Sequence, residues 1–405
     1  MPFSRVPHLV GRSIANGSLI LVDLLGSGNY GQVYKALDVE AINNFAYFAV
    51  KCIEIDGSKR ATAVSKEIAS HAAVSRHPNI VTYRSTWVEE DYIFMVMDYC
   101  PGGELHNAIR EQKVFYRNDS LVKQVFLQVI DAVQHCHANK IFHRDIKPEN
   151  ILCSEDGTQV FLADFGLATC EDDYQFRGAG TLPYKSPECL GEDFKSPTYS
   201  TRSSDVWALG VVLINMMVGR NPWLAAKISD SCFNYFLCNP DYFLKIFPIT
   251  PAVNKVLLRV FDLRSSKRIT LPELRAEINK IDRFFLTDAE LVNAPARVKD
   301  VNQSFCASTM PPPRTAPIGL GLGIDFSFLV QPSPKILQSI PPVPPQQLAM
   351  QPPVLTRARA SAGVRFLWEP YSKMRVLRVF VKWGPLRRGL EMFDAGRRTL
   401  KIHET

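Results

Sequence analysis

The sequence predicts an α+β fold of two lobes, a small β-rich lobe over residues 18–98 and a larger, mainly helical lobe over residues 102–286. Three observations carry this reading. Short apolar, β-prone runs separated by turn signals fill the chain up to Tyr99. Helical spacing dominates from Glu104 to about Phe285. Between them Pro101-Gly102-Gly103 breaks the chain, as a hinge would.

Taken in order, residues 1–17 form an N-terminal extension that mixes prolines with Arg5, His8 and Arg12 and has no apolar leader core. Ser18 to Leu25 reads as a strand, Gly26 to Gly31 as a glycine turn, and Val33 to Leu37 and Phe45 to Ile55 as further strands. Thr62 to Ser75 has helical spacing and stops before His77-Pro78, because proline cannot continue a helix. Ile80 to Val88 and Tyr92 to Tyr99 are two more strands. In the second lobe Leu121 to His137 is amphipathic, and Asp205 to Val218 is so apolar that it predicts a helix buried on every side. Residues 287–364 are a proline-rich linker, with Pro311-Pro312-Pro313, Pro341-Pro342, Pro344-Pro345 and Pro352-Pro353, and residues 365–405 are a basic tail. Together they predict a largely disordered C-terminal extension.

Composition excludes several classes. No apolar run approaches the roughly 20 residues of a membrane-spanning helix. The nine cysteines show no CxxC pair and no zinc-ligand spacing, which suggests reduced thiols and a cytoplasmic or nuclear location. The net charge of +7 is local. From Arg357 onward there are twelve Lys/Arg against four Asp/Glu, whereas residues 1–356 are close to neutral. The body of the protein therefore gives no signal of specific nucleic-acid binding.

The chemistry concentrates in four places. Leu25-Gly26-Ser27-Gly28-Asn29-Tyr30-Gly31-Gln32-Val33 is a GxGxxGxV turn whose bare backbone can close over a polyphosphate. A strand follows it, which argues against a dinucleotide fold. Lys51, in Ala49-Val50-Lys51, lies twenty residues past Gly31, where a compact cation can reach phosphates. Glu67 on the next helix is the best anion to hold it; Glu54 shares a strand with Lys51 and faces it less well. His143-Arg144-Asp145-Ile146-Lys147-Pro148-Glu149-Asn150 offers a base, a cation and an oxygen ligand within eight residues, and Asp164-Phe165-Gly166 supplies a second ligand fourteen residues later.

In this order and spacing the chain resembles the eukaryotic Ser/Thr protein kinases over roughly residues 18–286. The segments Gly180-Thr181-Leu182-Pro183-Tyr184-Lys185-Ser186-Pro187-Glu188-Cys189, Ser204-Asp205-Val206-Trp207-Ala208-Leu209-Gly210 and Val218-Gly219-Arg220-Asn221-Pro222-Trp223 are similar to those of the fungal Ran-type kinases, which restrain meiosis and respond to nutrients. The resemblance implies transfer of the γ-phosphoryl group of ATP, with Mg²⁺, to serine or threonine of protein substrates. It implies that Asp145 orients the acceptor hydroxyl, Lys147 meets the γ-phosphate, and Asn150 and Asp164 hold the metal. Lys51, with Glu67, would meet the α- and β-phosphates, and Thr181 would bond Asp145 and Lys147. The nucleotide would lie among Leu25, Gly26, Gly28, Gly31, Val33, Ala49, Met97, Asp98, Cys100, Glu104 and Leu152. Glu188 and Arg268 would form a buried ion pair, and Asp205 would brace the backbone near His143 and Arg144. The catalytic domain would be monomeric.

Three departures bear on regulation and partners. Four residues before Thr181, where many such enzymes carry an activating phosphothreonine, stands Arg177. Arg144 nonetheless awaits an anion, which Glu171-Asp172-Asp173 would supply permanently, giving activity without loop phosphorylation; phosphorylation of Thr169 or Tyr174 is the alternative. Glu104 and Glu149 predict arginine upstream of the target residue. His71 replaces the usual leucine of a hydrophobic spine and reads as a satisfied core histidine or, alternatively, a group that titrates near neutral pH. In the tail, Arg375, Arg378 and Lys382 with Leu377, Phe380, Val381 and Trp383 would give a helix with one basic and one apolar face, suited to an anionic membrane or acidic partner.

Overall fold

Strand β1 (Ser13–Ile14) opens a six-stranded antiparallel sheet with β2 (Leu19–Gly28), β3 (Gly31–Asp38), β4 (Tyr47–Glu54), β5 (Tyr83–Glu89) and β6 (Tyr92–Asp98), ordered β1-β2-β3-β4-β6-β5. The structure is a computed structural model; it describes residues 8–28, 31–41, 46–55, 57–175, 178–192 and 198–307, and the backbone of short strands within 364–404. Helix α1 (Gly57–Val74) lies between β4 and β5 and starts earlier than its apolar spacing indicated.

The N-terminal extension belongs to this lobe from Leu9 onward. Leu9, Ile14 and Ala15 are buried with Leu21, Tyr34 and Phe94. Arg12 lies over the Tyr92 and Phe94 rings and pairs with Glu90 at 3.1 Å. The sequence suggested an extension outside the lobe, because the three buried apolar residues are too few to show a period.

The second lobe is helical, as expected: α2 (Leu105–Arg110), α3 (Asp119–Ala138), α4 (Pro187–Leu190), α5 (Thr201–Val218), α6 (Ser231–Cys238), α7 (Tyr242–Ile246), α8 (Pro251–Val260) and α9 (Leu271–Asn279). Two small pairs, β7 (Ile151–Cys153) with β8 (Val160–Leu162) and β9 (Asp173–Tyr174) with β10 (Tyr199–Ser200), carry its loops. Local chemistry sets the helix ends. Asn118 accepts the Leu121 N–H ahead of α3, Ser200 accepts the Ser203 N–H ahead of α5, and Thr270 and Glu273 form a capping box on α9. Gly219 ends α5 in the left-handed region that glycine tolerates. Helix α5 is buried from Ser204 to Val218, so it is the axle of the lobe.

Two expectations are corrected here. The linker predicted from residue 287 begins later: α10 (Asp288–Val292) and α11 (Ala296–Ala307) continue the domain, with Val298, Val301 and Phe305 buried. The described residues of the basic tail are not helical. Val364–Tyr371, Met374–Trp383 and Leu386–Phe393 run as an antiparallel meander, in keeping with their valine and aromatic content. The single helical face expected to meet a membrane is therefore not formed. Residues 308–363, which hold most of the proline-rich linker, lie outside the described residues.

Candidate active site

The site is built where the sheet meets the helical lobe. Register places Lys51 opposite Val33 on one side and Met95 on the other, so its side chain leaves the sheet on the Val33 face. Helix α1 brings Glu67 to it: Lys51 Nζ lies 2.5 Å from Glu67 Oε1 and 2.9 Å from Asp164 Oδ1. Of the two candidate anions, Glu67 is the one that meets the Lys51 ammonium in the structure. Burial would lower the Lys51 pKa, but the two carboxylates outweigh it and hold the ammonium well above its usual value. Burial and the nearby Asp164 charge push Glu67 up against the pull of Lys51. Burial also acts to raise Asp164, and Lys51 overcomes it, so Asp164 stays ionised.

The glycine turn joins β2 to β3, and Asn29 and Tyr30 at its tip lie outside the described residues. A Cβ at Gly26 or Gly28 would meet nothing, so open space faces these backbones. At Gly31 φ is +140° and a Cβ would strike the Cys52 carbonyl oxygen, which makes glycine obligatory there. Ala49 pairs with Met97 across the sheet, and the Asp98 N–H is bonded to the Thr82 carbonyl. The Asp98 carboxylate is held by Arg84. Glu104 bridges to Leu152, which brings the segment after the hinge and the β7 strand to the same floor. The Leu25 side chain is exposed at the mouth.

Asp145 is the best-supported carboxylate of the loop. Its Oδ1 accepts the Thr181 N–H at 2.9 Å and the Thr181 hydroxyl at 2.8 Å. Its Oδ2 accepts Asn150 Nδ2 at 3.1 Å and lies 2.9 Å from Lys147 Nζ. Lys147 also donates to Thr181 Oγ1 at 2.9 Å. Beneath the loop Asp205 accepts the His143 N–H at 2.9 Å and the Arg144 N–H at 2.8 Å, and meets His137 Nε2 at 2.8 Å. Asp164 has φ +59°, a strained conformation that points its carboxylate at Lys51.

A family profile described as protein kinase domain matches residues 20–277. The chain belongs to the protein kinase family. Among curated relatives it is 42% identical over 289 residues to the negative regulator of sexual conjugation and meiosis of Schizosaccharomyces pombe, covering 66% of this chain and 61% of that protein. It is 34% identical over 253 residues to the Saccharomyces cerevisiae serine/threonine-protein kinase VHS1, covering 59% and 54%. To the Schizosaccharomyces pombe serine/threonine-protein kinase ksp1 it is 32% identical over 280 residues, covering 66% and 57%. The chain thus spans 54–61% of the length of these relatives. All are fungal, in line with the resemblance seen in the sequence.

One expectation for this kinase domain fails. The acids Glu171 to Asp173 do not reach Arg144. Asp172 is held instead by Arg202 at 3.1 Å and by Ser200, and its backbone carbonyl takes the Thr201 N–H. A cation nearer in space outcompetes Arg144, and sequence cannot show that, because Arg202 is distant along the chain. Arg144 instead faces Tyr174, which the sequence offered only as an alternative phosphorylation site, and Tyr199, to which it gave no role. His71 is a satisfied core histidine. Its Nε2 lies 2.6 Å from the Val81 carbonyl, and burial drives its pKa down to about 4, so the near-neutral titration considered for it does not arise. The Glu188–Arg268 pair forms with both nitrogens, at 2.6 and 3.1 Å.

Proposed function

We propose that this protein transfers the γ-phosphoryl group of Mg-ATP to serine or threonine hydroxyls of protein substrates, in a developmental or nutrient-signalling setting of the kind its relatives' names suggest. The observation that carries the proposal is the Asp145–Lys147–Thr181 triangle beside the Lys51–Glu67–Asp164 cluster.

The donor set fits the groups the reaction needs. Asn150 turns its Nδ2 to Asp145, which leaves its amide oxygen, and Asp164 offers a carboxylate oxygen; hard oxygens suit Mg²⁺. Among the described residues no group of three or more His, Cys, Asp or Glu could hold a metal, so Asn150 and Asp164 would share it with phosphates and water. When bound, the metal neutralises charge on the β- and γ-phosphates. The open space at Gly26 and Gly28 suits phosphates beneath the turn.

The chain's own residues then divide the work. Lys51, kept charged by two carboxylates, steadies the non-transferred phosphates. Asp145 is saturated by four donors, about as many as a carboxylate accepts. Of the four, Lys147 reaches Asp145 on a long side chain with rotatable bonds. Its departure to the γ-phosphate frees Oδ2 to accept the hydroxyl proton of the substrate. Thr181, bonded through both its N–H and its hydroxyl, keeps Oδ1 fixed meanwhile.

An arginine upstream of the target is the preferred context. Glu149 Oε2 is buried without a hydrogen-bond partner among the described residues, and its other oxygen is 3.4 Å from His106 Nδ1. Burial and the Glu149 charge raise the Glu104 pKa, and the nearby His106 and Lys147 do not fully offset them. Activity does not need a phosphate on the loop, since Thr181 already engages Asp145 without one. Incorporation of labelled phosphate into a protein substrate tests the function. Wild type should label and Asp145→Asn should not; equal labelling by both would sink the proposal.

A further inference from the structure

Arg144 precedes Asp145 and has φ +68°, a left-handed conformation that an arginine keeps only when its surroundings hold it. Its backbone is held by Asp205. Among the described residues its guanidinium has no anion. The carbon of that group lies 3.9 Å from the centre of the Tyr174 ring, and Nε donates to the Tyr199 hydroxyl at 3.2 Å. One of its two terminal nitrogens, Nη2, is buried with no hydrogen-bond partner among the described residues. Tyr174 and Tyr199 are register partners in the β9–β10 pair, with rings 6.4 Å apart and nearly perpendicular.

A partly buried guanidinium without a counter-charge carries a desolvation cost, and the electron-rich face of an aromatic ring offsets that cost in part. The ring also ties the two ends of the loop together. Asp173–Tyr174 pairs with Tyr199–Ser200, Asp172 is fastened to Arg202, and the Thr201 hydroxyl donates to the Glu171 carbonyl.

We propose that Tyr174 is a positioning residue for phosphoryl transfer: its ring face takes the place of a loop phosphate on Arg144 and so fixes the segment that carries Asp145. This rests on the reading that the loop works unmodified, and it names what replaces the modification. The face of the ring matters and the hydroxyl does not, because the Tyr174 contact with Arg144 is through the ring.

The test uses the full chain made in bacteria and treated with phosphatase, with mass spectrometry showing an unphosphorylated loop. Wild type, Tyr174→Phe and Tyr174→Leu are compared for kcat, KM for ATP and Tm. Phenylalanine should match wild type. Leucine should lower kcat about fivefold or more, the size expected of a desolvated cation–π contact, with KM for ATP and Tm unchanged. Adding Tyr174→Leu to Arg144→Leu should cost nothing further, since both act through one contact. Equal kcat for leucine and wild type overturns the proposal, as does an equal loss in phenylalanine and leucine, or an additive loss in the double variant. If the unmodified wild type is inactive, the reading beneath it fails, and that result is distinct from an active wild type indifferent to residue 174.

Discussion

His71 stacks on Phe165 with 4.8 Å between ring centres, and Phe165 in turn lies 5.0 Å from the ring of His143. Burial holds His71 neutral by lowering its pKa from 6.5 to about 4. A depressed histidine stabilises the fold fully above its unfolded pKa, and this contribution is lost as pH falls through the folded value, because the unfolded chain then binds the proton first. Between pH 6.5 and about 4, stability should drop by about 3 kcal/mol on this account. His71→Leu should flatten that part of the pH dependence, measured by urea unfolding at several pH values. An identical pH slope in both proteins would refute the assignment.

The Glu188–Arg268 pair predicts a destabilisation without a change in chemistry. Arg268 is buried and also donates to the Ser203 and Asp262 carbonyls. Arg268→Leu leaves a buried carboxylate unpaired and should cost about 3–5 kcal/mol. The double variant Glu188→Leu/Arg268→Leu should recover part of this, because no bare charge then remains. Denaturant midpoints of the three proteins decide it; a double variant less stable than the single one by the full sum would contradict it.

Thr181 predicts a split between two conservative changes. Its hydroxyl joins Asp145 to Lys147, while its N–H bonds Asp145 whatever the side chain. Thr181→Ser should keep most of kcat. Thr181→Ala should lose about tenfold, on the order of one charge-assisted hydrogen bond. Steady-state kinetics with a single peptide measure both.

Glu149 and Glu104 predict specificity, not rate. Glu149→Gln should raise KM for a peptide with upstream arginine by about tenfold, the worth of one exposed-to-buried ion pair, while leaving a peptide without arginine unaffected. Equal KM changes for the two peptides would show that the carboxylate does not read arginine.

The lobes and the active-site cluster were legible because their residues act at short sequence distance or as fixed-order motifs. Asp145, Lys147 and Asn150 lie on one loop, and the apolar length of α5 announced a buried helix. What escaped depended on pairs that meet only after folding. Asp172 was expected to meet Arg144, and only the β9–β10 pairing shows that Arg202 takes it instead. Tyr199 carries no signal of its own, since its role is to stand opposite Tyr174. The end of the domain was misplaced because α10 and α11 are short and mostly polar, with three buried side chains between them.

Those three side chains set a practical limit on how the domain is to be cut. Phe305 lies against Gly219, where a Cβ would collide with its ring, and packs edge-on with Tyr116 at 5.4 Å. A fragment ending at residue 277 or 286 would remove that plug and leave an apolar socket at the end of the axle helix. Fragments ending at Ala307 should express as monodisperse protein, and shorter ones should self-associate through the exposed socket.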